Sequence, residues 1–244
     1  KLGIPEAEKQ RLVAGVAARV ARAQYKAWDR CDLTYVELDA GTTVAGVTTR
    51  NICCSTEVEL CRENLKGGRA RALVVNAGNS NAFTGYRGRE AVEAISAKVA
   101  KHLGCALDEV FVYSPGVIGV PLTRDKAEAG LQAVFDAEPC AWQDAADTIG
   151  TTDTFAKGAV ASAIVDGERV ELAAIIKGSG MIAPDMATML AFIVTDADIH
   201  PNVLRALLGL HVRTTFNSVT VDGDTSTNDC CMLIATGKAN LPEV

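Results

Sequence analysis

The sequence predicts an α/β or α+β fold, with mixed sheets covered by helices, and three observations carry that prediction. Short apolar runs at Ala72 to Asn76, Val110 to Tyr113 and Met189 to Val194 are bounded by turn residues, as buried strands are. Between them lie stretches whose apolar residues recur every three or four positions, the period of a helix. Asp166-Gly167 separates two extended runs and marks a hairpin, so part of a sheet is antiparallel.

Leu12 to Lys26 fits helix or strand equally by pattern. Leu33 to Val47 is enriched in Thr, Val and Tyr and reads as extended, punctuated by Gly41 and Gly46. Ala72 to Asn76 is a short buried strand, ended by Gly78-Asn79-Ser80-Asn81. Arg89 to Leu103 is a helix: Val92, Ile95, Val99 and Leu103 form one stripe, and Gly104 stands just past its end. Val110 to Tyr113 is a strand turned by Ser114-Pro115-Gly116, after which Thr123 caps a helix through Leu131, Val134 and Phe135. Ala161 to Val165 and Val170 to Ile176 are the hairpin arms, with the loop left open to Glu168 and Arg169. Pro201 takes the first position of a helix carrying Val203, Leu204, Leu207 and Leu208. Val219 and Val221 lead into a turn at Asp222-Gly223. No repeat, low-complexity tract or linker divides the chain.

Apolar residues make up 48% of the chain, too many for disorder and enough for a packed core. The net charge is -6, which argues against a nucleic-acid face and a polybasic membrane contact. No run of about 18 apolar residues is present, so no membrane span is expected. The opening KLGIPEAEKQ lacks the apolar core of a signal peptide and a first methionine, and reads as a processed or cut end. The cysteines Cys31, Cys53, Cys54, Cys61, Cys105, Cys140, Cys230 and Cys231 contain no C-x-x-C. They read as free, mostly buried thiols of a reducing cytoplasm rather than as zinc ligands or a disulfide framework.

The chemistry concentrates in KGSGMIAPDMATML, Lys177 to Leu190, where Thr188 stands at the entrance to an apolar run. By itself such a threonine is an ordinary strand-start residue. It becomes a nucleophile when it is N-terminal, because its own α-amine then serves as the base. A free α-amine has a pKa of about 7.7 to 8, so it is partly neutral near physiological pH. Creating that terminus requires the Ala187-Thr188 bond to break: the hydroxyl attacks the Ala187 carbonyl, the acyl group moves from nitrogen to oxygen, and water hydrolyses the ester. Ala187 is small, Gly178 and Gly180 permit tight turns nearby, and Pro184 stiffens the approach.

KGSGMIAPDMATML resembles the self-cleavage segment of the ornithine acetyltransferase family, also called bifunctional glutamate N-acetyltransferase. Five further segments match in order: AGVTTRN (Ala45 to Asn51), VVNAGNSNAFTG (Val74 to Gly85), SPGVIG (Ser114 to Gly119), TTDT (Thr151 to Thr154) and VDGDTSTND (Val221 to Asp229). The resemblance implies a layered sandwich with mixed sheets packed between helices. It implies cleavage between Ala187 and Thr188, giving residues 1–187 as the α-chain equivalent and 188–244 as the start of a β-chain equivalent that continues further in the family. The two chains stay together and associate into a higher oligomer. Thr188 takes an acetyl group from N2-acetylornithine and passes it to glutamate, in the cyclic route of arginine biosynthesis. No cofactor is implied; acetyl-CoA enters only as a second donor, as in some members, and the location implied is cytoplasmic.

By the same resemblance Thr188 is nucleophile and substrate contact, Lys177 and Thr154 bind substrate, and Pro115 and Gly116 occupy the oxyanion-hole positions. The family usually has threonine where Pro115 stands. Proline offers neither a hydroxyl nor an N–H, so only the Gly116 N–H remains there. Two alternatives follow: a non-catalytic or impaired relative that keeps the ligand pocket, and an N-terminal-threonine amidohydrolase in which water accepts the acyl group. The family's substrate-binding glutamate lies beyond the VDGDTSTND segment.

Other readings are weaker. Asp222, Asp224 and Ser226 have the spacing of a calcium loop, but its twelfth position is Leu233, so no metal is expected. Gly178-Ser179-Gly180 lacks the third glycine of a dinucleotide fingerprint. His102, His200 and His211 read as helix-face or helix-end residues.

Overall fold

The computed structural model describes residues 12–182, 189–239 and 241–242. In chain order its first half comprises β1 (Val16–Ala21), β2 (Leu33–Leu38), β3 (Thr43–Thr48), α1 (Thr56–Asn64), β4 (Ala72–Asn76), β5 (Gly78–Asn79), α2 (Gly85–Leu103), β6 (Val110–Tyr113) and β7 (Gly116–Val117). There follow α3 (Arg124–Phe135), α4 (Trp142–Ile149), β8 (Lys157–Val165), β9 (Glu168–Lys177), β10 (Leu190–Thr195), α5 (Pro201–His211) and β11 (Cys230–Ala235).

Two mixed sheets result. The first runs β1-β2-β4-β6, and only its β4-β6 pair is parallel. The second runs β3-β11-β10-β9-β8, and only its β10-β11 pair is parallel. The central strands are apolar on both faces, because they are covered on both, whereas the edge strand β8 is largely exposed. Along β4, Leu73 and Val75 enter the core between the sheets, whereas Ala72 and Val74 face α2 and α3. Along β10, Leu190, Phe192 and Val194 enter that same inner core, and Ala191 turns to the side carrying Leu208 of α5. The two-residue period of a strand thus builds a stack of helices, sheet, sheet and helix. This is the layered sandwich with mixed sheets packed between helices. Trp142 and Ile149 of α4, with Val58 and Cys61 of α1, close the inner core.

Several sequence expectations are met. The Leu12 to Lys26 ambiguity resolves as strand β1, whose Ala18 packs in the inner core while Arg19 reaches Glu37 across the pair at 3.4 Å. Gly104 ends α2 in the left-handed region at φ 64°. His102 lies in the last turn of α2, stacked 4.0 Å from the Phe135 ring, and His200 and His211 bracket α5.

Others are corrected. Val165 pairs with Glu168, so the hairpin loop is Asp166-Gly167 alone, with φ of 49° and 85°, and Glu168 and Arg169 belong to the strand. Thr123 precedes α3 in extended backbone, but its side chain makes no capping bond; its carbonyl accepts the Ala127 N–H at 3.0 Å instead. The cysteines are all free, yet only Cys61, Cys230 and Cys231 are buried and Cys53 is exposed. None of the helices among the described residues is long and apolar enough to cross a membrane.

Phe192 is 1% exposed and meets Tyr113 edge-on at 5.0 Å in the inner core. Phe192→Ala is expected to destabilise the fold by about 3–5 kcal/mol, read as a lower urea midpoint at unchanged slope.

Candidate active site

The functional segments converge at one end of the sandwich. The C-terminal ends of β4, β6 and β9 reach it, as do the N-terminal ends of β10 and β11, because β4-β6 and β10-β11 are parallel and β9-β10 is antiparallel. A cavity of about 430 Å³ opens there. Ala187 and Thr188 fall in 183–188, outside the described residues. Both flanks of that stretch line the cavity: Gly180 and Met181 on one side, Met189 and Leu190 on the other.

Pro115 and Gly116 form part of the cavity wall. Strand β7 lies parallel to β5 at Gly116 and Gly78, and the Gly78 N–H donates to the Pro115 carbonyl at 2.7 Å. A Cβ on Gly116 would lie 2.2 Å from the Gly78 carbonyl carbon, so only glycine permits this approach.

Lys177 ends β9, lines the cavity and is 8% exposed. Burial lowers its ammonium pKa from the ordinary lysine value, and the nearby Lys157 charge adds to this, against the opposing pull of Asp153 and Asp229. Asp153 comes from the TTDT segment. Burial alone would raise its carboxyl, but the Lys157 ion pair, the Gly178 N–H at 2.8 Å and the Lys177 charge hold it below the usual value. Asp153 thereby ties this loop to the end of β9, and it is Thr151 and Thr152 that reach the cavity, while Thr154 is exposed.

The VDGDTSTND segment supplies the opposite wall. The Asp222 carboxylate accepts the Met181 N–H at 2.6 Å and the Ile182 N–H at 2.8 Å, and the Val221 N–H donates to the Ile182 carbonyl at 2.8 Å. These backbone donors, Met181 first, hold its pKa below the ordinary carboxylate value. Asp222 is thus engaged in fixing the chain just before residue 183.

Sequence reasoning missed three contributors. Trp28 borders the cavity and carries the Arg30 guanidinium 4.3 Å from its ring, while Arg30 also donates to the Gly150 carbonyl at 2.6 Å. Asn228 lines the cavity and joins several segments there. Glu57, on α1, is fully enclosed, and burial pushes its carboxyl up to about 7, opposed in part by N–H groups of its own turn and of Asn81. Only the position of Asn228 inside a matched motif signalled its place; nothing in the sequence near Glu57 or Trp28 did.

The layers and this end-of-sandwich cavity define a four-layer α/β protein with a small-molecule site of ordinary size. Residues 17–244 match the ArgJ family, and the chain belongs to that family. It is 53% identical over 230 residues to the arginine biosynthesis bifunctional protein ArgJ of Zymomonas mobilis, covering 94% of this chain and 56% of the relative. The ArgJ of Rhizobium meliloti is 52% identical over 226 residues, covering 92% and 55%. The chain therefore spans about half the length of the curated relatives it matches. Among solved structures, ArgJ from Bacillus halodurans superposes with a TM-score of 0.62 at 28% identity, covering 72% of this chain and 92% of that one. Ornithine acetyltransferase from Mycobacterium tuberculosis, complexed with ornithine, gives 0.60 at 28% identity, covering 74% and 97%. The PH0078 protein of Pyrococcus horikoshii, 14% identical with a TM-score of 0.55, shares the fold alone.

Two outcomes are expected. Gly116→Ala must push apart the Gly78 and Gly116 backbones, and loses on the order of 2–4 kcal/mol in thermal or urea unfolding. Between pH 4.5 and about 7 the folded chain keeps a proton on Glu57 that the unfolded chain has shed, so stability falls as pH rises across that window. Glu57→Gln lacks this fall, so the change in urea-unfolding free energy from one end of the window to the other should differ between wild type and variant by on the order of 3 kcal/mol.

Proposed function

We propose that this chain carries acetyl transfer from N2-acetylornithine to glutamate through an acetyl-Thr188 intermediate formed after self-cleavage at Ala187-Thr188. The observation that carries this reading is the convergence, on one cavity, of both flanks of residues 183–188 with Lys177 and the Pro115-Gly116 wall. Family membership and the similarity to an ornithine-complexed acetyltransferase support it.

In this reading the Thr188 hydroxyl attacks the Ala187 carbonyl, the C–N bond breaks as the acyl group moves to oxygen and frees the Thr188 amine, and water hydrolyses the resulting ester to release the Ala187 carboxylate and the hydroxyl. That amine then takes the hydroxyl proton as the hydroxyl attacks the acetyl carbonyl of the donor. The Gly116 N–H faces the developing oxyanion, and ornithine leaves with the proton. Glutamate attacks the acetyl ester by the reverse sequence and restores the free threonine. Lys177, buried with a single ammonium, recognises a substrate carboxylate or acetyl oxygen, with Thr154 as the family's further substrate contact. Acetyl-CoA is a second donor, the cleaved pieces stay associated in a higher oligomer, no cofactor takes part and the protein works in the cytoplasm.

N-terminal sequencing of the purified protein tests the first step. A new terminus at Thr188 is expected, together with an uncut, inactive Thr188→Ala variant; a Thr188→Ala protein that still transfers acetyl groups defeats the reading. Pro115 supports a second reading, an impaired relative that keeps the pocket, because a lost oxyanion donor costs roughly 10²–10³ in rate. In that case the wild type stays whole and Pro115→Thr restores the cut.

A further inference from the structure

Glu57 lies in the first turn of α1, away from the cavity lining, and is 1% exposed. Its Oε1 accepts the Asn228 side-chain amide at 3.0 Å and the Asn81 backbone N–H at 3.4 Å, while Oε2 is enclosed without a hydrogen-bond partner. A buried carboxyl in such a setting is costly and calls for a reason.

Both asparagines lead to one residue. The Asn228 Nδ2 that donates to Glu57 also donates to the Ser114 carbonyl at 3.0 Å. Asn81 Nδ2 donates to Ser114 Oγ at 3.2 Å, and that hydroxyl donates to Asn76 Oδ1 at 2.7 Å. On its other side Asn228 Oδ1 accepts the hydroxyls of Ser80 at 3.1 Å and of Thr227. These partners fix the amide so that its NH₂ points at Glu57 and Ser114, since a flipped amide would set its oxygen against the Ser114 carbonyl. Ser114 is the residue before Pro115, which has no N–H with which to anchor the cavity wall. The wall is held instead through two carbonyls: Pro115 O by Gly78, and Ser114 O by Asn228.

We propose that Glu57 is a positioning residue for the Pro115-Gly116 wall, acting through Asn228 and Asn81 on Ser114. The proposal rests on the acyl-transfer reading above, in which the Gly116 N–H faces the oxyanion. Glu57 lies off the cavity lining and acts through its neighbours. It anchors the Asn228 amide from the side opposite the two hydroxyls, the amide holds the Ser114 peptide, and that peptide aims Gly116. Displacement of an oxyanion donor is felt in the transition state and not in substrate binding, so the loss falls on kcat.

The test measures kcat and KM for acetyl transfer in full-length wild type, Glu57→Leu and Glu57→Gln, alongside circular dichroism and thermal midpoints. Glu57→Leu removes the acceptor and the buried carboxyl together; it is expected to fold and to lower kcat by roughly 10- to 100-fold with KM little changed. Glu57→Gln keeps an oxygen acceptor for both donors and is expected to recover most of that loss. A folded Glu57→Leu with wild-type kcat overturns the proposal, as does a loss that falls on KM. If Glu57→Leu does not fold, Glu57→Met, which keeps the chain length without an acceptor oxygen, decides with Glu57→Gln: a kcat defect in the folded Met variant that the Gln variant lacks supports the proposal, and equal kcat in both overturns it. An inactive wild type, uncut at Ala187-Thr188, instead removes the acyl-transfer reading and this inference with it.

Discussion

The rest of the structure depends on contact between two sheets. Leu73, Val75, Phe111 and Tyr113 of one meet Ile175, Leu190, Phe192 and Met232 of the other, all almost wholly removed from water. At roughly 25 cal/mol per Å² of apolar surface, this layer is where most of the burial energy collects. It also fixes register, because a slip of one residue in β10 would turn Phe192 toward α5 and Ala191 inward. Register matters for chemistry here: Lys177 and Leu190 are paired neighbours on β9 and β10, and both reach the cavity. The same contacts that hold the sandwich together therefore decide where the two flanks of residues 183–188 stand.

At the sandwich edge the governing forces change from apolar to polar. Asn76, Asn79, Ser80, Asn81, Ser114 and Asp229 are each 5% exposed or less, a density of buried polar groups that would be unfavourable in an ordinary core. Most of their atoms are satisfied by one another and by backbone. Such a network tolerates few arrangements, which suits a wall whose backbone donors must be preset. The close Gly78-Gly116 approach belongs to the same economy of motion, with two backbones in direct contact and no side chain between them to shift.

How much of this could be read from the sequence follows from what each signal depends on. Strands β4, β6 and β10 were legible because both their faces are buried and their apolar runs are unbroken. Helix α2 was legible from a single clean stripe. Strand β1 was ambiguous since small alanines carry no period, and α1 and α4 went unread. In α1 only Val58 and Cys61 face the core, too short a stripe to announce a helix. The site divided the same way. Lys177, Pro115 and Gly116 were found through matched motifs and do line the cavity. Glu57 acts through contacts between residues distant in sequence, such as the 171-residue separation between it and Asn228, and no local pattern encodes those.

The adjacent thiols of β11 illustrate what a two-faced strand entails. Cys230 points into the space between the sheets and Cys231 toward α5, and both are fully buried. Side chains that alternate across a sheet cannot meet, so this neighbouring pair is stereochemically barred from joining to each other in the folded state. The two sulfurs instead report on separate seams. Release of α5 from its sheet uncovers Cys231 alone, whereas Cys230 stays hidden until the sheets themselves part. One dipeptide thus carries two gauges of opening, graded by depth, within a single strand.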